Sequence, residues 1–444
     1  SASAVLTEIF PKLKSKTFSF AKLRGSIARV GNDAGFDRLI NSYSYGGLFR
    51  NDMAWFQGDA VRKNPNLKPE TTISKEIGAE VRLLDGRLTA DVTYYDKYTR
   101  DQIVESELSY LSNYQRVIIN SGKISNKGWE ISVSGVPVKV KNFEWKTIFN
   151  WSKNNSMVES LPEGIDKIQI GSGVYNVKSY AEVGKPYGAI YAKTFKRDAE
   201  GYILCQLDGS PKEGQDYEYL GCVQADWRGG WNNVFRLGNF SFSVMFDFQK
   251  GGKFFSQTSI QSSVDGQSVK SLEGRDADFF SRKILGESDE ERYGFMRPQN
   301  ANTPTANGQI YPDWGRPKGV VLPNCRYDED VEGLAGQQVL GYCTPERYWM
   351  HYTSRDISRF IYDASYVKLR EITVSYDLPK KWLRKTPFQT FRVAAVGRNI
   401  ATLFANTPHG LDPQATSTTG NAQGFERGFN LPSATYGFDI KVSF

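Results

Sequence analysis

Long stretches of this chain place an apolar residue at every second position, and that alternation limits its fold more than any other feature. Between positions 239 and 249 one face carries Phe240, Phe242, Val244, Phe246 and Phe248, and the other carries Ser241, Ser243, Met245, Asp247 and Gln249. The last segment sets Tyr436, Phe438, Ile440, Val442 and Phe444 against Thr435, Gly437, Asp439, Lys441 and Ser443. Leu88, Ala90, Val92 and Tyr94 alternate with Arg87, Thr89, Asp91 and Thr93, and Phe143, Trp145, Phe149 and Trp151 oppose Glu144, Lys146 and Asn150. A period of two means β-strands. A soluble antiparallel sandwich with one wet face would show it, and so would a membrane barrel, apolar toward lipid and polar toward its lumen. The strands run to about 10 residues or more, the span of a tilted membrane strand. Their large aromatics near the ends suit an interfacial girdle.

The connections give a second test. Strands are expected near 2–9, 17–30, 71–84, 87–104, 117–136, 141–157, 226–237, 239–255, 363–378, 390–404 and 434–444. The links between them alternate short and long, and the long ones are 31–70, 158–225, 256–362 and 405–433. Outer-membrane barrels keep short turns on the periplasmic side and long loops outside. A sandwich has no reason to hold that parity. The expected fold is therefore all-β, an antiparallel transmembrane barrel wall of about eleven strands.

Bulk composition agrees once the period is known. The 444 residues have a formal charge of +7 and 14% aromatics, with a mean hydropathy of −0.49. No run approaches the roughly 18–20 apolar residues of a membrane helix, but alternating barrel strands average out as hydrophilic. No Lys/Arg stripe suggests nucleic acid. Ser1–Phe10 lacks the basic and apolar regions of a signal peptide. Phe444, closing an alternating strand, is the kind of terminal aromatic read by the barrel-insertion machinery.

Chemistry-bearing motifs are few. There is no G-x-S-x-G, H-E-x-x-H or P-loop, and with two histidines, His351 and His409, no enzyme is expected. Cys205 with Cys222, and Cys325 with Cys343, form two pairs without zinc spacing, read as local disulfides within long outer loops that lack a core of their own; four separate thiols are the alternative. Asp198, Asp208, Asp216 and Glu218 are a weak calcium candidate, and the acidic runs Glu287–Glu291 and Asp328–Asp330 lack the spacing of a calcium loop. No other cofactor is implied. Tyr43, Tyr45, Trp55, Tyr311, Trp314, Tyr348 and Trp349 are loop aromatics that can form a binding platform, contact a partner or simply pack the loops.

Several short pieces, taken in order, resemble one family. They include Val30-Gly-Asn-Asp-Ala-Gly35, Asn64-Pro-Asn-Leu-Lys-Pro-Glu-Thr71, Asn120-Ser-Gly-Lys-Ile-Ser-Asn-Lys-Gly-Trp-Glu130, Asp226-Trp-Arg-Gly-Gly230, Phe246-Asp-Phe-Gln-Lys-Gly-Gly252, Asp363 through Pro379, Gly397-Arg-Asn-Ile400 and Gly410-Leu-Asp-Pro413. The chain resembles the C-terminal half of a SusC/RagA-type TonB-dependent outer-membrane transporter of Bacteroidetes. The resemblance implies a 22-stranded barrel, of which these are the twelfth to the twenty-second strands, with an N-terminal plug. It also implies a SusD-like lid lipoprotein, the TonB complex acting through the plug, outer-membrane lipid, and transporter–lipoprotein pairs able to dimerise. The expected cargo is oligosaccharide or oligopeptide; a passive porin and a secreted β-sandwich binding protein are the alternatives. Residues 1–444 are expected to be one part of the barrel, with plug and earlier strands elsewhere, because two open edges in lipid would each leave roughly ten unpaired backbone groups at several kcal/mol apiece.

Overall fold

The structure, a computed structural model, describes every residue except 51, 109, 121, 208, 273–319, 344–347, 409, 416–422 and 429–432. Eleven strands form one sheet: β1 (Ala2–Val5), β2 (Phe18–Asn32), β3 (Glu70–Leu83), β4 (Leu88–Arg100), β5 (Lys123–Val140), β6 (Phe143–Ser160), β7 (Trp227–Leu237), β8 (Phe240–Lys250), β9 (Tyr366–Asp377), β10 (Thr390–Ala405) and β11 (Thr435–Ser443). Their order in the sheet is their order in the chain, and each pair is antiparallel. A sandwich would divide these strands between two packed layers; here one continuous sheet holds them all.

The register lines up the apolar face across the sheet. Ile77 lies opposite Tyr94, Tyr94 opposite Trp129, Ile131 opposite Trp151, and Phe149 opposite Trp231. The row continues through Phe246 and Leu369 to Ala401. Stacked or tilted ring pairs such as Tyr94–Trp129, Trp145–Phe235 and Trp231–Phe246 join neighbouring strands along it. On β4 and β5 the band ends outward at the ion pair Lys127–Asp96, 3.3 Å apart, where charge becomes affordable outside hydrocarbon.

Four strand expectations shift. Those at 87–104 and 239–255 end at Arg100 and Lys250, and Ile103–Glu107 and Lys253–Ser256 join smaller sheets instead. The first strand stops at Val5, and Leu6–Ile9 is a helical turn followed by a 3-10 turn at Pro11–Leu13. Pro11 has no N–H to donate to a ladder, and buried Thr7 instead accepts from the Ala21 N–H with its Oγ1 at 3.5 Å. The strand expected at 117–136 divides into Arg116–Asn120 and β5. Gly122 marks the break, because a Cβ there would run into the backbone of Ser160 and Leu161.

The long connections are not bare loops. Residues 203–205, 320–327 and 338–343 form one small sheet, and 167–172, 178–182, 189–192 and 218–222 form another. A core of Phe195, Val320, Val339, Tyr348 and Trp349 joins two of the long connections. A second core draws Val177 and Ile190, Phe255, Ile260 and Phe360, and Phe425 from three of them. The expectation that these loops lack a core is therefore corrected: together they build a packed cap over one end of the wall.

Candidate lumenal wall and outer cap

The polar face of the sheet is a dense set of paired charges. Arg24 on β2 donates to both carboxylate oxygens of Asp91 on β4, at 2.6 and 2.7 Å, and to Thr93. Lys97 pairs with Glu76 at 3.2 Å, and Arg392 grips Asp377 at 2.6 and 2.7 Å. Gly128 sits between these rows because the Tyr95 ring lies on it; a Cβ would strike both the Tyr95 hydroxyl and the Lys153 carbonyl. Tyr95 donates from there to Asn154, 3.0 Å away.

The densest polar group lies at the outer end of β8 and β9. The Lys368 side chain is only 1% exposed and reaches Asp412 at 2.5 Å and Gln414 at 3.0 Å. Arg370 bonds Asp247 and, at 2.7 Å, Gln414; Tyr366 donates to Asp247 at 3.2 Å and accepts from Gln414 at 2.6 Å. The last long connection is thus tied to the inside of the wall by one charged cluster. Apart from Gln414, these residues fall within the pieces Phe246–Gly252, Asp363–Pro379 and Gly410–Pro413, so their signal was visible as motif without their pairing being so.

Beside this cluster a cavity of about 260 Å³ opens between β6 and β7, lined by Ser152, Asn154, Gln224, Trp227, Arg228 and Gln423. Arg228 is oriented by Gln249 at 3.1 Å and Gln224 by the Tyr187 carbonyl at 3.0 Å. Convergent amides, a guanidinium and an indole suit a polar oligomer rather than an apolar ligand.

The other motif pieces hold the rim. Asn120 donates to the Lys68 and Asp101 carbonyls at 2.8 and 2.7 Å and accepts from the Lys68 N–H at 2.9 Å. Glu70 accepts from the Ile103 N–H at 2.8 Å. Buried Glu426 accepts from Ser256 and Thr258 at the start of the helix Gln257–Val264, pinning the last connection to the cap.

The sequence-derived site residues separate into groups. Tyr348 and Trp349 are each 1% exposed and pack edge to face inside the cap, so they are corrected from contact residues to core. Tyr43, Tyr45 and Trp55 stand exposed on the hairpin 43–58. Tyr311 and Trp314 lie outside the described residues. Phe444 is exposed and packs on Phe388 with ring centroids 5.4 Å apart.

The cysteine pairing is also corrected. Cys222 is a free thiol in the sheet of 218–222, with its Sγ 3.5 Å from the Tyr187 carbonyl, whereas Cys205 lies in the other small sheet. Cys325 faces Val339 across its ladder and Cys343 faces Val320. That offset separates their backbones by roughly 13 Å at about 3.3 Å per residue, beyond the reach of a disulfide.

Nor do the calcium candidates converge. Asp198 is engaged by Arg326 at 2.9 Å and by the N–H groups of Glu200 and Tyr202. Asp208 lies outside the described residues, and among those described no group of three or more acidic, His or Cys side chains is poised for a metal. Asp328 is a clamp instead, held by Lys196 at 2.9 Å and Lys212 at 2.8 Å. Burial pushes its pKa up, but these lysines outweigh that and bring it down to about 2. Its stabilisation is complete above the unfolded value of about 3.9 and is lost as pH falls from there through about 2. Protease sensitivity of the cap should therefore rise between about pH 4 and pH 2, and Asp328→Asn should show that sensitivity already at pH 7.

An up-and-down sheet with an apolar band outside, paired charges inside and packed loops at one end is the wall of an outer-membrane β-barrel. The family model described as "TonB dependent receptor-like, beta-barrel" matches residues 15–400, and the chain belongs to that family. It is 25% identical over 395 residues to TonB-dependent receptor P3 of Formosa agariphila, covering 84% of this chain and 33% of that protein. Over 104 residues it is 29% identical to TonB-dependent receptor SusC of Bacteroides thetaiotaomicron, covering 23% of this chain and 10% of that one. The solved structure of the RagAB peptide transporter superposes with a TM-score of 0.67 at 16% identity, covering all of this chain and 43% of that one. The chain is thus similar in sequence to SusC over a limited stretch and similar in fold to the RagAB transporter. It spans about a third of the length of the first of these relatives.

Proposed function

We propose that this wall and cap form the C-terminal part of an active importer that carries oligosaccharides or oligopeptides across the outer membrane. The observation that carries the reading is the polar cavity at the outer end of the wall, where Asn154, Gln224, Arg228 and Trp227 converge beside the Lys368–Asp412 cluster. In this reading the open edges of β1 and β11, each bonded to one neighbour here, pair with further strands that enclose a plug. Energy comes from the TonB complex through that plug. A SusD-like lipoprotein covers the mouth, and the exposed aromatics of the hairpin 43–58 face it or the cargo. Phe444 serves as the insertion mark.

The test is uptake of labelled oligosaccharides and oligopeptides by cells making the full-length protein, with and without a functional TonB complex. Loss of uptake without TonB is expected, with Arg228→Ala lowering it about tenfold, the order expected when one charge-assisted hydrogen bond to the cargo is removed. Uptake that continues unchanged without TonB would mean a passive pore.

A further inference from the structure

The short-turn end of the wall carries a charge excess that the transport reading does not use. The short connections are 6–17, 84–87, 141–142, 238–239 and 378–389, all of them described. The first holds Lys12, Lys14 and Lys16, the next two hold Arg87 and Lys141, and the last holds Lys380, Lys381, Arg384 and Lys385. Against these nine cations stand two acids, Glu8 and Asp85. The excess of +7 equals the formal charge of the whole chain, so the strands and long loops together are neutral. All nine cations are solvent-exposed. The ion pair recorded among them is Lys14 with Glu8, at 3.6 Å.

Their height in the membrane follows from the turns themselves. Lys141 is the residue after Val140, which is exposed on the apolar face. Trp382 is 63% exposed between Lys381 and Arg384, and Phe10 and Leu13 are exposed beside Lys12. Indole and phenyl rings beside lysines are the composition of a membrane interface. Arg87 and Lys141 directly adjoin strand ends and Lys380 lies three residues past β9, so these charges sit about a Debye length, about 8 Å, from the ends of the wall strands.

We infer that this basic rim binds anionic phospholipid headgroups of the periplasmic leaflet, with Trp382 and Phe10 seated at the acyl boundary. The charge sign selects a phosphate without a compensating ammonium, and the adjoining apolar side chains select a lipid over a soluble anion. An acidic periplasmic protein would meet the same charges but has no use for the exposed rings at hydrocarbon level.

The experiment uses the full-length protein in nanodiscs containing equal phosphatidylglycerol and phosphatidylethanolamine, brominated in one lipid at a time, with quenching of Trp382 read as the difference from Trp382→Phe. Preferential quenching by brominated phosphatidylglycerol is expected, by about fivefold per nearby charge at low salt, and it should shrink at 1 M salt. Lys380→Gln/Lys381→Gln/Arg384→Gln/Lys385→Gln should abolish the preference. The quadruple exchange that keeps charge (Lys→Arg, Arg→Lys) should retain it, with both variants still showing the heat-modifiable mobility of a folded barrel. Equal quenching by the two lipids in the unaltered protein overturns the inference, as does a preference that survives the Gln variant. So does competition by a soluble acidic peptide that removes the preference without lipid selectivity returning. TonB-dependent uptake is a separate readout, so failure here leaves the import reading standing and the converse also holds.

Discussion

Lys368→Met is expected to release the segment 406–415 from the barrel wall and open it to protease in the full-length protein. The Lys368 ammonium is buried and serves Asp412 and Gln414 together. Removing one partner of a buried pair leaves the other charge uncompensated, at about 3–5 kcal/mol. That raises the open population, and with it the cleavage rate, by a factor on the order of a hundred to several thousand. Asp412→Asn should act in the same direction with a smaller effect, because the amide still accepts a hydrogen bond. The double variant Lys368→Met/Asp412→Leu should recover much of the loss, since two apolar groups leave no orphaned charge. Cleavage at the unaltered rate in Lys368→Met, with a folded barrel on the gel, would show that the cluster does not hold this segment.

Trp349→Ala should loosen the cap while leaving the barrel intact. Trp349 is fully enclosed, stacked edge to face on Tyr348, with the Arg359 guanidinium 5.7 Å from its ring. Truncating a buried aromatic of this size costs about 3–5 kcal/mol. Phe255→Ala, in the other cap core, should cost a similar amount, about 3–5 kcal/mol. Trp55→Ala is the informative contrast: its ring is half exposed on the hairpin 43–58 and touches no core. Its stability should change by no more than about 0.5 kcal/mol, and any loss of uptake would report contact with cargo or lid. Limited proteolysis of the cap and uptake, measured on all three variants, separate packing from contact. Equal protease resistance of Trp349→Ala and the unaltered protein would contradict the assignment of Trp349 as cap core.

The wall was legible in the sequence because its physics is local and repetitive. One face of each strand meets lipid and the other meets water, so Phe240 to Phe248 or Tyr436 to Val442 reveal their face at every second residue. The cap was not legible for the opposite reason. Its strands are short, such as Ile203–Cys205 and Ala189–Ala192, and Ala189–Ala192 is buried on both faces, so no period survives. An aromatic in a loop looks the same whether it packs inward like Tyr348 or stands out like Tyr43. Pairing the cysteines by nearness in the chain failed because Cys205 and Cys222 belong to different small sheets. The lumenal cluster was half legible: Lys368 and Asp412 stood in separate motif pieces, and only the return of the last long connection onto the inside of β9 brings them to one point.

The cap core also sets an order of assembly. Val177, Phe255, Ile357 and Phe425 meet in it although nearly 250 positions separate the first from the last. Contacts of such long sequence separation form late, because the intervening chain must be placed before they can close. The second core is therefore expected to be the last part of the cap to close. The first core needs nothing beyond Tyr352, but the second closes only when the connection that carries Phe425 has arrived, so the protease resistance of that second core is expected to time the completion of the barrel.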